Sequence, residues 1–163
     1  MPSPRRLAVP IAIVGAGCRF PGGVRDIESF WNLMSRGRCA IREIPHDRWS
    51  LAGFWDPRPD LPDRSYSKWG GFLDDIRGFD PAYFGLSPRD AEGMDPQQRL
   101  LLMVAVEAAQ DAGIPLSRLR AHSTGVFVGV SNIDYGLLQR YRPGRGEMQA
   151  GTGTALSIVA NRI

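Results

Sequence analysis

The sequence has few residues suited to metal binding or nucleophilic chemistry. It contains two cysteines, Cys18 and Cys39, and two histidines, His46 and His122, in 163 residues. The cysteines form no CxxC pair and stand far from the histidines along the chain, so a zinc site is not expected. We therefore expect free thiols in a reducing compartment and a cytoplasmic location.

Long apolar runs and a strong charge of one sign are also missing. No stretch approaches the roughly 20 apolar residues of a membrane span, so no membrane association is expected. A formal net charge of +3 is too small to indicate nucleic-acid binding. The one local basic cluster, Arg140, Arg142 and Arg145, is either a solvated loop or a docking point for an acidic or phosphate-bearing partner.

The composition allows a sizeable core. With 43% hydrophobic and 23% charged residues the chain resembles an ordinary globular protein. A folded body of 18.0 kDa is expected to expose roughly 8,000 Å². This mass fits one domain, or part of one.

The first apolar run, residues 7–14, follows Arg5 and Arg6 and precedes Gly15. It has two interpretations, a short secretory signal or a buried strand that ends in a glycine turn. Pro10 interrupts the run and favours the strand. Gly15 occupies a position where a lipoprotein signal would have an aliphatic residue, which favours the strand again.

The next segments predict a helix and then a long irregular region. Asp26 is a candidate N-cap and Gly37 a candidate stop signal. Between them apolar residues recur at helical spacing, which predicts an amphipathic helix that covers a sheet. Residues 43–94 contain six prolines, six glycines and three of the four tryptophans. We expect an ordered excursion held by aromatic packing, with short helices or strands around residues 68–73 and 81–84.

A strong helix is predicted over residues 96–112. Asp95 is its N-cap, Pro96 takes the first helical position and Gln98 completes a capping-box-like pair. Residues 100–106 are all apolar, so this helix should be buried on most sides. Gly113 and Pro115 are its stop signals.

The remaining pattern indicates an α/β layered fold. A second strand is predicted over residues 124–130, because its run 126–128 is apolar without alternation, as in a parallel strand that is covered on both faces. A final helical pattern begins near Ala155. It reaches Ile163 without a stop signal, so the sequence looks truncated.

Two phosphate-binding motifs fail on chemical grounds. Gly15 and Gly17 after a strand are typical of a dinucleotide-binding turn, but Phe20 occupies the third glycine position. A P-loop lysine must precede serine or threonine, whereas Lys68 precedes Trp69.

Other local patterns are equally incomplete. Ser131 ends a strand as in a nucleophile elbow, but Ile133 replaces the second glycine and no histidine follows His122. Residues 151–154 (GTGT) are either a phosphate-approach loop or a close-packing point where a helix starts, and the second interpretation is favoured. The adjacent Asp74 and Asp75 cannot flank one bond, and neither histidine has an identifiable acid partner. The residues alone therefore indicate an α/β fragment with no visible active site.

Five motifs together carry a family resemblance. They are GCRFPGG (17–23), SKWGGFL (67–73), FGLSPR (84–89), MDPQQRL (94–100) and GVFVGV (125–130). The chain resembles the N-terminal part of a β-ketoacyl synthase domain of modular or iterative type I polyketide synthases. On this resemblance residues 1–10 are a short leader and residues 11–163 belong to the domain. Met103 and Val106 replace a glutamate and a tryptophan that are frequent in the family, which we interpret as packing changes.

The resemblance implies a thiolase-like fold with layers α/β/α/β/α, of which only the N-terminal portion is present. It implies decarboxylative Claisen condensation of an acyl thioester with a malonyl-type extender. The catalytic cysteine and both histidines would lie beyond Ile163, so the fragment alone should be inactive and Cys18 is not the nucleophile. Residues near the dimer interface and the active-site floor would be Thr152, Gly153, Thr154, Ser157 and Asn161.

The implied partners follow from the same resemblance. They are an acyl carrier protein that carries phosphopantetheine, an adjacent acyltransferase domain and a second copy in a homodimer. No directly bound cofactor, metal or nucleic acid is expected. The alternative is a non-catalytic module for dimerisation or carrier-protein docking.

Overall fold

The computed structural model describes residues 10–140 and 152–163, which are organised around one long helix. The elements in chain order are α1 (Ile27–Ser35), β1 (Ile41–Glu43), β2 (Trp69–Gly71), α2 (Pro88–Gly93), α3 (Pro96–Asp111), α4 (Leu116–Ala121) and α5 (Asp134–Arg140). Two 3₁₀ turns follow, Leu156–Ile158 and Ala160–Arg162.

Helix α1 begins and ends where the sequence predicts. The Asp26 carboxylate accepts from Ser29 N–H at 2.7 Å, and Ser29 Oγ accepts from Asp26 N–H at 3.1 Å, a reciprocal capping box. Gly37 follows the C-cap with φ +59° and donates its N–H to Met34 O. The prediction that α1 covers a sheet is wrong for the described residues, because Trp31 is 69% exposed and α1 has no buried residue.

Helix α3 is the longest element, and its cap differs from the prediction in one respect. Asp95 caps it by accepting from Gln97 N–H at 2.8 Å, with Pro96 in the first position. Gln98 does not complete a capping box. Asp95 N–H donates to Gly153 O at 2.9 Å, so the donor that a capping-box side chain would satisfy is already paired.

Fewer side chains of α3 are buried than its apolar sequence predicts. Only Gln98, Leu102 and Ala109 are buried. The rest of the run from residue 100 to 106 is partly exposed. The helix ends at Asp111, and Gly113 (φ +64°) donates to Gln110 O, as the stop signals predict.

Neither predicted apolar strand forms in the described part of the chain. Ile11 and Ile13 are 94% and 91% exposed, and Phe127 is 96% exposed. Residues 10–14 and 124–130 have no strand assignment, and residues 7–9 lie outside the described residues. A strand is defined by hydrogen bonds to a neighbouring strand, and neither segment meets such a neighbour.

The excursion instead forms a small sheet of its own. Strands β1 and β2 pair antiparallel in the register Ile41↔Gly71, Arg42↔Gly70 and Glu43↔Trp69. Strand β2 falls in the region 68–73 where an element was predicted. The partner β1 was not predicted, because three residues are too few to show a period of two.

Aromatic packing holds the excursion together, as predicted. The Trp49 ring contacts Phe54 and Phe72 at centroid distances of 5.7 and 5.9 Å. Phe79 and Phe84 stack at 5.0 Å, and residues 81–85 form a turn. These pairs order a segment that has little regular secondary structure.

The short helices are the main elements that the pattern missed. Helix α2 has Ser87 as N-cap and Pro88 at its start, a signal that lies inside the proline-rich region. Helices α4 and α5 have six and seven residues. The helical pattern predicted from Ala155 forms two short 3₁₀ helices, Leu156–Ile158 and Ala160–Arg162, and no continuous α-helix.

The surface of the chain is larger than its mass predicts. The solvent-accessible area is 12716 Å², against roughly 8,000 Å² for a folded monomer of this size. The excess includes the exposed side chains of residues 10–14 and 124–130. Within the described residues no helix is long and apolar enough to cross a membrane.

Candidate functional site

The glycine pair at residues 15 and 17 packs against α3. A Cβ added to Gly15 would lie 2.3 Å from Ala108 O, and one added to Gly17 would lie 2.8 Å from Val104 O. Ala16 N–H donates to the Asp111 carboxylate at 2.9 Å. The two glycines therefore permit close approach to the helix backbone, and their spacing has a packing cause rather than a phosphate-binding one.

Arg19 joins the turn after this segment to α3. Its guanidinium donates to Cys18 O at 3.0 Å, to Arg25 O and to the Glu107 carboxylate. The Arg19–Glu107 pair is partly buried, with about a quarter to a third of each side chain exposed. Residues 15–25 are thus held on α3 by a backbone contact at one end and an ion pair at the other.

A small cavity of about 170 Å³ lies beside Arg19. It is lined by Arg19 and Arg25, by Asp74 and Asp75, and by apolar side chains from residues 20, 24, 73, 100 and 103. The formal charges of the two arginines and the two aspartates cancel, so the lining itself does not point to a charged ligand.

Neither cysteine is set up as a nucleophile. Cys18 is buried, and burial followed by the negative charge of Asp26 raises the pKa of its thiol. Cys39 is a free, exposed thiol four residues beyond α1. His46 lies in an exposed turn seven residues after Cys39, and His122 lies at the end of α4.

The start of α3 brings together three separate parts of the chain. Asp95 N–H donates to Gly153 O, and the Gln97 amide donates to Asn132 O at 3.1 Å and to the Asp95 carboxylate. The Gln98 amide donates to Ala155 O at 3.4 Å. We call residues 95–98 with these carbonyl partners the α3 junction.

Close backbone packing completes the α3 junction. A Cβ on Gly153 would lie 2.5 Å from Gly93 O and 3.3 Å from Met94 Cα. Met94 is 1% exposed. The close-packing interpretation of residues 151–154 is therefore confirmed at Gly153, while residue 151 lies outside the described residues.

The candidate floor and interface residues are distributed around this junction. Gly153 is buried within it, and Thr154 is partly buried. Thr152, Ser157 and Asn161 are exposed. Arg162 donates to Thr152 O at 3.2 Å and so links the second 3₁₀ turn back to the junction.

Sequence reasoning missed most of the contacts at the junction. Asn132, Tyr135 and Ala155 carry no motif, and Tyr135 OH donates to Glu92 O at 2.7 Å. The sequence singled out Asp95 and Gln98 through the capping signature and Gly153 through residues 151–154, but not their contacts with one another. The groups that accept these hydrogen bonds are backbone carbonyls. Every residue type has one, so the sequence does not show which carbonyl will be used.

Two other sequence features have structural roles or fall outside the described residues. Lys68 forms an ion pair with Glu43 at 2.8 Å and lies 4.9 and 5.5 Å from the ring centroids of Trp55 and Trp69. Lys68 therefore links β1 to these two tryptophans of the excursion. The arginine cluster at positions 140, 142 and 145 lies outside the residues whose side chains are described. Across the part of the chain that the structure describes, no group of three or more His, Cys, Asp or Glu could hold a metal ion.

Comparison with known proteins identifies the class and then the family. The fold matches ketosynthase domains: the oxazolomycin ketosynthase domain KS7 of Streptomyces albus JA3453 superimposes with a TM-score of 0.82 at 39% identity, over 92% of this chain and 26% of that chain. The ketosynthase from module 6 of the bacillaene synthase of Bacillus subtilis 168 matches with a TM-score of 0.75 at 34% identity, over 93% of this chain and 23% of that chain. The chain therefore has the thiolase-like fold, of which it contains the N-terminal portion.

Residues 8–163 match the family "Beta-ketoacyl synthase, N-terminal domain", and the chain belongs to this family of condensing enzymes. One component of the phenolphthiocerol/phthiocerol polyketide synthase of Mycobacterium tuberculosis is 47% identical over 157 residues, which are 96% of this chain and 10% of that protein. Polyketide synthase GfsB of Streptomyces halstedii is 46% identical over 155 residues, which are 94% of this chain and 3% of that protein. The chain thus spans a tenth or less of these curated relatives.

Proposed function

We propose that this chain is the N-terminal part of a ketosynthase that extends an acyl thioester in polyketide biosynthesis. The supporting observation is the coverage of the structural match. The match to a solved ketosynthase extends over 92% of this chain and only 26% of the solved chain. The large exposed area of 12716 Å² fits a body whose apolar faces are completed by the remainder of such a domain.

The proposed reaction is a decarboxylative Claisen condensation. A cysteine thiolate attacks the acyl thioester and releases the carrier thiol. Loss of CO₂ from a malonyl-type thioester then gives a carbanion that attacks the enzyme-bound acyl group, and the cysteine thiolate leaves again. This chemistry needs an activated thiolate and donors for the developing oxyanion, which on the family resemblance lie beyond Ile163.

The thiols of this chain support that assignment. Burial raises the pKa of the Cys18 thiol, which disfavours the thiolate that the reaction needs. Cys39 is a free, exposed thiol four residues beyond the end of α1. The chain alone is therefore catalytically silent, and its role is to hold the α3 junction and the surfaces around it.

The partners in this proposal are those of a polyketide ketosynthase. An acyl carrier protein delivers the acyl and malonyl-type thioesters on phosphopantetheine, an adjacent acyltransferase domain loads the extender, and two copies form a homodimer in the cytoplasm. No cofactor is held by this chain. Thr152, Ser157 and Asn161 are exposed, which suits them for contacts at the dimer interface or active-site floor, together with Gly153 and Thr154.

An acylation experiment tests this function. The purified chain and the complete ketosynthase domain that contains it are incubated with an acyl-thioester donor, and intact mass is measured. We expect one acyl group on the complete domain, at a cysteine beyond Ile163, and none on the chain alone. A Cys39→Ser variant of the complete domain should acylate as the unmodified domain does.

The competing assignment, a non-catalytic dimerisation or docking module, predicts a different result. In that case the complete domain would bind a carrier protein or dimerise without acylation and without ketoacyl product. Stoichiometric acylation of Cys18 or Cys39 with formation of product would instead contradict the placement of the nucleophile beyond Ile163.

A further inference from the structure

Gln98 is the most unusual buried polar group among the residues that the structure describes. It is 2% exposed, on the first turn of α3. Its amide nitrogen donates to Ala155 O, while its Oε1 is buried without a hydrogen-bond partner. Burial of an amide is unfavourable unless its hydrogen bonds are made, so an apolar side chain of the same length would be easier to accommodate here.

The orientation of this amide follows from its partner. Ala155 O is a carbonyl and can only accept, so the nitrogen of the Gln98 amide must face it. Exchanging the oxygen and nitrogen would place two acceptors together and lose the single bond that the side chain makes. The contact therefore depends on the donor capacity of Gln98.

The Gln98 bond is one of several contacts that hold this segment. Asp95 N–H donates to Gly153 O and the Gln98 amide donates to Ala155 O, so two donors at one helix end hold carbonyls two residues apart. Ala155 O also accepts from Ile158 N–H at 3.2 Å, Gly153 packs against Gly93 O, and Arg162 donates to Thr152 O. Without Gln98, the segment would keep these contacts but would lose the donor from α3 to Ala155 O.

We propose that Gln98 is a positioning residue, whose amide donor sets the path of residues 153–158 and thereby the placement of the exposed side chains around them. This inference rests on the proposed function, because it assigns those residues to the floor and interface of a ketosynthase. Gln98 does not touch substrate in this proposal. It acts through Ala155.

The test uses amide hydrogen exchange and kinetics of the complete ketosynthase domain with three variants. Gln98→Met removes donor and acceptor at nearly constant length. Gln98→Glu keeps the shape and, when ionised, lacks the donor. Gln97→Met is the matched control, since Gln97 holds Asn132 O instead of the 153–158 segment.

We expect Gln98→Met to lower the exchange protection of residues 153–158 about tenfold, the scale of one lost hydrogen bond. Protection elsewhere on α3 should change little. The condensation kcat should fall by a similar factor with KM for the acyl thioester nearly unchanged. Gln97→Met should loosen the region around residue 132 and leave 153–158 protected.

The Gln98→Glu variant adds a pH readout. A carboxyl at this buried position is neutral more readily than in water, and the neutral form restores an O–H donor to Ala155 O. The carboxylate of Asp95, three residues earlier, also favours the neutral form. Arg99 follows Gln98 on the same helix, and Arg162 donates to the nearby Thr152 O. Protection of 153–158 relative to the unmodified domain should therefore be low at neutral pH and recover at mildly acidic pH.

Two results would overturn the inference: unchanged protection of 153–158 in Gln98→Met, or a uniform loss across the whole domain in both Gln98 variants without recovery in acid. An inactive unmodified domain that shows the expected exchange pattern would refute the proposed function and leave the positioning role supported. An active domain with unchanged exchange and kcat in the variants would refute the positioning role and leave the proposed function supported.

Discussion

Two kinds of segment behave in opposite ways. One is the irregular excursion of residues 43–94, and the other is the pair of apolar segments at residues 10–14 and 124–130. The excursion is rich in proline and glycine, yet it forms a two-stranded sheet, aromatic pairs and ion pairs such as Lys68–Glu43. The apolar segments have the stronger strand pattern, yet Ile13 and Phe127 are almost fully exposed. The excursion finds its partners within about 30 residues, whereas each apolar segment needs a neighbouring strand that the described residues do not supply.

This difference shows that strand propensity and strand formation are separate. Residues 124–130 have the composition of a strand covered on both faces, but a parallel strand gains its stability only from neighbours on both edges and layers on both sides. The excursion has no such requirement. Its contacts, for example the Trp49 ring against Phe72, are made within the segment itself.

The largest expected effect comes from a charge in one of the apolar segments. Phe127→Asp in the 163-residue chain should reduce the binding of a hydrophobic dye and the light scattering that reports aggregation. The reason is that Phe127 is 96% exposed and adds to the apolar surface of the chain. In the complete ketosynthase domain the same change should abolish the cooperative thermal transition, since an unpaired carboxylate would be buried. Tyr66→Asp, at a 68% exposed position of the excursion, is the control and should leave both measurements nearly unchanged. A complete domain that tolerates Phe127→Asp would show that this segment stays exposed there too.

The second effect concerns the glycine contact that fixes the first apolar segment to α3. Gly15→Ala would place a methyl group 2.3 Å from Ala108 O and should destabilise the complete domain by about 1–3 kcal/mol. Urea denaturation measures the loss. Both variants are also compared in the 163-residue chain, where Gly129→Ala is the matched control because nothing lies within 4 Å of the added Cβ there. Equal midpoints for Gly15→Ala and the unmodified domain would mean that residues 15–18 do not pack as the structure shows.

The third effect tests the cap at the α3 junction. Asp95→Ala should cost about 0.5–2 kcal/mol, because the N–H of Gln97 loses its acceptor. Asp95→Asn keeps a side-chain oxygen for that N–H and should cost only a few tenths of a kcal/mol. The free energy of unfolding in denaturant checks both. If the alanine variant matched the asparagine variant, the cap would contribute nothing measurable.

The smallest effect is a pH dependence within the excursion. The Arg58 guanidinium and then its backbone N–H bond the Asp56 carboxylate and lower its pKa to about 2, below the usual 3.8. Ionised Asp56 therefore stabilises the turn fully above about pH 4, and this contribution disappears as the pH falls through about 2. An NMR titration of the Asp56 carboxyl measures the midpoint. Arg58→Gln should move it upward, and an unchanged midpoint would contradict the side-chain contact.

Local signals predicted the ends of elements well. Helix α1 begins directly after its N-cap Asp26 and ends before Gly37, and helix α3 begins with Pro96 after its N-cap Asp95 and ends before Gly113. These ends are predictable because a cap is decided by a few adjacent residues. The five motifs likewise identified the family without reference to tertiary structure. Helices α4 and α5 were missed because six or seven residues give too few turns for a helical period to appear.

The candidate site could be predicted only in part. Asp95 and Gly153 were singled out, but their contact joins residues 58 positions apart along the chain. Gln98 was expected to satisfy its own helix end and instead donates to Ala155 O. A capping box would use the Gln98 Oε1 as acceptor for the Asp95 N–H, whereas the observed contact uses the Gln98 amide nitrogen as donor. No local rule distinguishes these outcomes, because a glutamine side chain offers both an acceptor and a donor.

The sequence by itself determined the family, the caps and the aromatic residues that order the excursion, since each depends on residue identity at short range. Tertiary structure decided the rest. It set the exposure of residues 10–14 and 124–130, the close approach of Gly15 and Gly17 to α3, and the carbonyl partners of Gln97 and Gln98. The physical reason is that strand pairing and backbone acceptors depend on which distant segment arrives at a position, and every residue carries the same carbonyl group.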